Sequence, residues 1–321
     1  MSQYPRADFA PLRETVYGIG VHWTTWTAPR SGAPKPFPKA VEEFDVSAFA
    51  ARAAEAGAGH VLFTLTHALH WLPGPNPEVD RVLPGRSCER DLPMELADAL
   101  AARGIKLMLY YNHATYSAGD FVQDPEWQRA VGSLEKDRGR YYDNHCSILS
   151  WMGERYGRKA IAWWFDSACE HARHADTPWR RFTQAAKVGH SERLVTYNSG
   201  ITNFLSCTEY QDYWAGEVDG LAFRARGPAT PTGFPWYSFV TWHGHDRYCQ
   251  RPVWGIEAGS EKAEWMKWPP VEPEALRDYL RRFTVAGGAV TFNVPCYQDG
   301  SLYEPDLNAL RGLRAMRRPA P

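Results

Sequence analysis

No run of about 18 apolar residues occurs in this chain, which excludes a helix that spans a bilayer. No CxxC pair occurs either. The six cysteines (Cys88, Cys146, Cys169, Cys207, Cys249 and Cys296) are scattered, which fits reduced thiols better than a disulfide frame or a zinc site. Neither sign of charge is in excess: 36 Lys and Arg stand against 37 Asp and Glu. That balance argues against nucleic acid or an anionic membrane as the main partner. The first residues, Met-Ser-Gln-Tyr-Pro-Arg-Ala-Asp, lack an apolar signal core, so a cytoplasmic protein is expected. There is no internal repeat and no linker, and a single domain over residues 1–321 is expected.

Aromatics, by contrast, are plentiful: 14 Trp, 16 Tyr and 14 Phe. Several Trp sit beside polar residues near expected strand ends, among them Trp23, Trp26, Trp71, Trp214, Trp242 and Trp265. Such rings either fill a core or stack on the C–H faces of sugars. The segment Ala160-Ile-Ala-Trp-Trp-Phe-Asp166 reads as a strand buried on both faces that ends on one carboxylate. A charge has no place in such a strand except at its end. Asp166 is therefore either a cap for the next helix or a catalytic group on the C-terminal face of a barrel.

Strand and helix patterns alternate along the chain. Strands are expected at Tyr17–Trp23, His60–Thr66, Lys106–Asn112, Ala160–Asp166, Leu194–Asn198, Ser206–Tyr213, Pro252–Glu257 and Ala289–Val294. Helices are expected at Val46–Ala56, Leu92–Arg103, Trp127–Tyr156, Trp179–Val188, Pro273–Val285 and Pro305–Met316. Eight strands separated by helices imply a parallel sheet closed into a (β/α)₈ TIM-like barrel. Little chain follows the last helix, so no C-terminal β-sandwich is expected. The Pro-rich loops 29–38 and 72–85 are long for a compact domain and suit a functional face.

Several segments, in order, resemble the α-L-fucosidases of glycoside hydrolase family 29. Tyr17-Gly-Ile-Gly-Val-His22-Trp23 is similar to that family's "FGIFxHWG", and Val61-Leu-Phe-Thr-Leu-Thr-His67 to "VxLTAKHH". Arg90-Asp91-Leu-Pro-Met-Glu95-Leu followed by Arg103-Gly-Ile-Lys-Leu-Met-Leu-Tyr-Tyr111 resembles "RDLVGEL…RGLKxGLYYS". Trp164-Phe-Asp166 resembles "WFDG", Gln211-Asp-Tyr-Trp-Ala-Gly-Glu217 resembles "GDYxTPE", and the stretch from Gly287 to Gly300 resembles "GGNLLLNxGPxxDG". The resemblance implies a retaining exo-glycosidase that releases terminal α-L-fucose and needs neither cofactor nor metal. It makes Asp166 the nucleophile. The chain departs from the family at Thr66-His67-Ala68, where a His pair is usual, and at Tyr197-Asn198-Ser199, where a substrate-binding Arg is usual.

A retaining glycosidase needs a second carboxyl about 5 Å from the nucleophile, held protonated until the leaving oxygen takes its proton. Glu257, at the end of the expected seventh strand, is the first choice, with Glu217 the alternative and Glu209 third. Sugar contacts are expected from His22, Trp23, Trp26, His67, His70, Tyr111, Asn112, Trp214 and Trp265, with His22 or Tyr111 holding Asp166. The partner is a carbohydrate or glycoside; a homo-oligomer is possible. Other readings are a glycosidase for a related sugar such as α-L-galactose, a metal-dependent barrel hydrolase using His67, His70, His171, His174, His243 and His245, and a binding-only barrel.

Overall fold

The computed structural model describes residues 4–67, 69–115, 124–242 and 271–317. Its eight strands are β1 (Tyr17–Val21), β2 (His60–Thr66), β3 (Lys106–Asn112), β4 (Ala160–Asp166), β5 (Leu194–Tyr197), β6 (Glu217–Asp219), β7 (Tyr237–Thr241) and β8 (Ala289–Asn293). All pairings are parallel, in the order β5-β4-β3-β2-β1-β8-β7-β6. The two ends of this order, β5 and β6, are consecutive in the chain. The segment entering β6 bonds back to β5: Asp212 N donates to Val195 O at 2.7 Å, and Thr196 Oγ1 to Tyr213 O at 2.6 Å. The sheet thus curls into a (β/α)₈ barrel whose seam is made by a loop rather than a full strand ladder.

The helices are α1 (Ala10–Arg13), α2 (Phe37–Glu43), α3 (Val46–Glu55), α4 (Pro77–Val82), α5 (Leu92–Ala101), α6 (Pro125–Val131), α7 (Gly139–Tyr156), α8 (Ala168–His171), α9 (Trp179–Ala186), α10 (Pro273–Val285) and α11 (Glu304–Arg311). Their starts follow from short acceptors at the N-cap. The side chains of Asp45, Asn76, Asp91 and Asp124 accept from backbone N–H groups of the first turns of α3, α4, α5 and α6.

Two apolar layers result. Inside the barrel, Leu62, Met108, Tyr110, Ala162, Trp164, Tyr237 and Phe239 pack together, with Phe9 and Leu12 of the N-terminal segment among them. Between sheet and helices lies a larger layer holding Phe63, Leu109, Tyr111, Trp163 and Phe165. Adjacent residues of one strand therefore fall in opposite layers, as a pleat requires. β1 needs glycines because the interior is full: a Cβ at Gly20 would lie 2.4 Å from the ring of Phe239.

One expected strand is corrected: the sixth is Glu217–Asp219 rather than Ser206–Tyr213. The strand that follows it among the described residues, Tyr237–Thr241, was not expected. A three-residue strand leaves no readable alternation. Tyr237–Thr241 was hidden because a strand buried along its whole length shows no polar face. Residues 252–257 lie outside the described residues.

The base of β4 and β5 is tied by Arg193, which is fully buried. Its guanidinium donates to the carbonyls of Ala160 (3.1 Å), Ala186 (2.6 Å), Val188 (3.1 Å), Gly153 (2.8 Å) and Gly157. Asp166 stands at the far end of the strand so anchored. Arg193→Met should lower stability by about 3–5 kcal/mol, because several buried carbonyls lose their donor at once. A lowered urea midpoint at unchanged slope is the expected reading; a midpoint equal to wild type would show that water replaces the guanidinium.

Candidate active site

The strand register brings a polar cluster to the C-terminal ends of β3, β4 and β5, where Glu217 of β6 joins it. Asn112 pairs with Asp166 across β3 and β4, and Phe165 pairs with Tyr197, so Asn198 follows alongside. Both oxygens of Asp166 are engaged. Tyr110 Oη donates to Oδ2 at 2.5 Å, Asn112 Nδ2 to Oδ2 at 3.1 Å, and Asn198 Nδ2 to Oδ1 at 2.9 Å. Three donors fix the carboxylate, and among the described residues no Lys or Arg pairs with it.

A second carboxyl stands beside it. Glu217, the first residue of β6, accepts a short hydrogen bond at Oε2 from the same Asn198 Nδ2. Two oxygens within hydrogen-bond reach of one nitrogen lie no more than roughly 5.5 Å apart. Burial and then the Asp166 charge push the Glu217 pKa up to about 8, against a lowering pull from Asn198. Glu217 is therefore mainly protonated at neutral pH. Tyr110 is held well above its ordinary value by burial and by the Asp166 charge, so it remains a donor. Its ring stacks on Trp164 with centroids 5.0 Å apart.

His22 and His67 flank Tyr110. Their rings meet edge to face at 4.2 Å, and Tyr110 lies 5.4 Å from His22 and 6.2 Å from His67. Burial lowers the pKa of both; the neighbouring His67 pushes His22 further down, while the Asp166 charge draws His67 partly back. Neutral imidazoles here can both donate to and accept from hydroxyls. The residue after Asp166, Ser167, has φ +56° in the left-handed region. Its hydroxyl accepts from Asn112 Nδ2 at 3.0 Å, and its carbonyl accepts from His113 Nε2 at 2.9 Å. Such a conformation costs a non-glycine residue about 1–3 kcal/mol and persists where neighbours enforce it.

Other expected contacts are placed elsewhere. Tyr111 points to the helix side of the sheet, where its hydroxyl lies 2.7 Å from His70 Nε2. The residue that holds Asp166 is its neighbour Tyr110. His70 is fully buried and stacks on Trp127 at 3.7 Å, so it supports Tyr111 and does not line the site. Trp23 packs on Phe37, Phe44 and Phe63 in the outer layer. Trp214 is buried against Phe204 and Trp236. Trp26 is 42% exposed, on the loop after β1. Glu257 and Trp265 lie outside the described residues, as do His243 and His245. Among the described residues no three His, Cys, Asp or Glu side chains are grouped to hold a metal ion. Asn198 and Tyr110 were not anticipated. Tyr110 was within reach of the pattern, because alternate residues share a face and Asn112 had been placed on it.

The split between Tyr110 and Tyr111 predicts opposite phenotypes. Tyr110→Phe should cost about 10–100-fold in kcat/KM, the worth of one hydrogen bond to a charged group, with little change in stability. Tyr111→Phe should cost about 1–2 kcal/mol of stability and leave kcat/KM within about twofold. Thermal unfolding and initial rates on both variants check this; the reverse pattern would mean that Tyr111 faces the site.

Fold and cluster together define a class: a (β/α)₈ barrel with one carboxyl at the C-terminal end of β4 paired, through Asn198, with a second on β6. No protein-family model matches the chain, and no curated protein matches it. Solved structures do. The α-L-fucosidase isoenzyme 1 of Paenibacillus thiaminolyticus superposes with a TM-score of 0.67 at 18% identity, over 96% of this chain and 74% of that one. An α-L-fucosidase of Lactobacillus casei, bound to α-L-fucose product, gives 0.62 at 14% identity, over 96% and 97%. The family 29 α-L-fucosidase of Bacteroides thetaiotaomicron gives 0.65 at 15%, over 97% and 75%. The chain thus has the fold of the family 29 α-L-fucosidases.

Proposed function

We propose that this chain is a retaining exo-glycosidase that hydrolyses a terminal α-L-fucosyl unit. The observation that carries the reading is the pair of carboxyls, Asp166 and Glu217, joined by one amide nitrogen. Sharing one nitrogen keeps their oxygens within roughly 5.5 Å, which suits retention and is too close for the roughly 6.5–9.5 Å of an inverting pair. Asp166 attacks the anomeric carbon while Glu217 gives its proton to the leaving oxygen. Glu217, now a carboxylate, then takes a proton from water, whose oxygen displaces Asp166. The raised pKa of Glu217 suits the first step at neutral pH. Glu217 is given this role because it is buried and shares the Asn198 amide with Asp166; Glu257 lies outside the described residues. One neighbour, the Bacteroides enzyme, was captured as a covalent intermediate with 2-fluoro-fucosyl fluoride, which supports a double displacement here.

His22, His67 and Asn112 are the nearest groups for sugar hydroxyls. Thr66 supplies a reason to keep a second sugar in view. Its hydroxyl is turned onto the Asn112 carbonyl and is spent there, so it does not replace the histidine of the resembling family. A related 6-hydroxylated sugar, α-L-galactose, is the second reading.

The test is hydrolysis of a panel of 4-nitrophenyl glycosides, with the anomer of the first-formed sugar read by NMR. Release of α-L-fucose as the α anomer supports the proposal. Release from the α-L-galactoside alone keeps the mechanism and changes the substrate. Inverted product, or no release from any glycoside, overturns it.

A further inference from the structure

Across the first displacement the negative charge changes place. Asp166 begins as a carboxylate and ends as a neutral glycosyl ester, while Glu217 begins as a neutral acid and ends as a carboxylate. The second step runs the exchange backwards. One side chain touches both groups throughout. Asn198 Nδ2 carries two N–H bonds; one points at Asp166 Oδ1 at 2.9 Å, the other at Glu217 Oε2. Its orientation is set independently, because Asn198 Oδ1 accepts from Gly200 N at 3.1 Å. The side chain is 3% exposed, and its backbone N is fixed on Phe165 O at 2.8 Å.

We propose that Asn198 is a charge-balancing positioning residue, which donates to whichever carboxyl bears the negative charge in each half of the reaction. The assignment rests on the reading of Asp166 and Glu217 given above. No atom need move for it to work, since each carboxyl already has its own N–H. A fixed dipole that serves both states lowers the barrier without reorganisation. Among the described residues, the groups that face the pair are Tyr110 and Asn112 from β3, with His67 from the end of β2, His113 after β3, Cys169 of α8 and Asp219 of β6 near in charge. Tyr110 and Asn112 touch Asp166, so Asn198 is, among the described residues, the bridge to Glu217.

Two variants separate this role from simple packing. Asn198→Asp keeps the shape and the acceptor for Gly200 N but removes the shared donor. Asn198→Ala removes the whole amide. Charge balancing predicts that Asn198→Asp is the worse of the two, because a third carboxyl now faces the pair. It also predicts that the alkaline limb of the kcat/KM profile, set by Glu217, moves to higher pH by about one unit in Asn198→Ala, since the Glu217 carboxylate loses a donor. A packing role predicts the opposite order and an unmoved limb. An alkaline limb that shifts by less than about half a unit in both variants, or an Asn198→Asp more active than Asn198→Ala, overturns the proposal. Glu217→Ala with azide is run beside them. If azide restores its turnover while the alkaline limb of the Asn198 variants stays put, only the Asn198 assignment fails. If azide does nothing, the reading of Glu217 itself fails.

Discussion

Asp166→Asn is expected to fold and to lose about 10⁴-fold or more of its turnover. The change is isosteric, so the end of β4 keeps its packing, with Trp164 and Phe165 still buried on either side of the sheet. The hydrogen bonding is less forgiving. Tyr110 and Asn112 both donate to Oδ2, and Asn198 donates to Oδ1. An amide in place of the carboxylate presents an NH₂ to one of these donors, which loses a bond and costs about 1–2 kcal/mol. Chemistry is lost for a separate reason: an amide has no charge to offer the anomeric carbon and forms no glycosyl ester. Initial rates on a 4-nitrophenyl glycoside, with urea unfolding alongside, separate the two effects. Asp166→Ala adds a stereochemical check, because azide that fills the vacated space should attack from the nucleophile's side and give an inverted glycosyl azide. A variant that keeps more than about a tenth of wild-type turnover would remove Asp166 from the nucleophile's role.

Glu217→Ala should show an effect that depends on the leaving group. A nitrophenolate departs without a proton, so formation of the intermediate from a 4-nitrophenyl glycoside should slow by about tenfold or less. A sugar alcohol needs the proton, and its release should slow by about 10³–10⁴-fold. Azide should rescue the second step and give a product of retained configuration, opposite to the Asp166→Ala outcome. The pH profile gives a further sign. Glu217 acts as an acid only while protonated, so wild-type kcat/KM should fall as pH rises through about 8. In Glu217→Ala that alkaline limb should vanish. Glu257→Ala is the control. A flat leaving-group dependence is expected for it; a steep one would transfer the acid role from Glu217 to Glu257.

Much of the architecture could be read along the chain because it is local. β3, β4, β5 and β8 fall where runs of apolar residues end at Asn or Asp, and the starts of α3 and α5 are marked by Asp45 and Asp91. Asp166 stood out for the same reason, since a charge closing the run Ala160–Phe165 has few structural uses. Even the failure at β6 is local in origin: Glu217–Asp219 is too short to display a period.

What the chain could not declare is which side of each strand faces inward and which strand ends meet. In Leu109-Tyr110-Tyr111-Asn112 every residue is buried, so burial does not label the inside, and Asn112 is the one polar residue that marks the face it shares with Tyr110. Closure of the barrel decides between them, sending Tyr110 to Asp166 and Tyr111 to His70. The same closure turns Trp23 and Trp214 into core residues and leaves Trp26 at the surface. It also brings Glu217 to Asp166 through Asn198, three residues from three different strand ends. The sequence by itself determined the parallel barrel and the carboxylate at the end of its fourth strand, because periodicity and burial act on neighbours in the chain. The tertiary structure alone decided the second carboxyl and the amide between them, because their distance is a property of strands brought side by side.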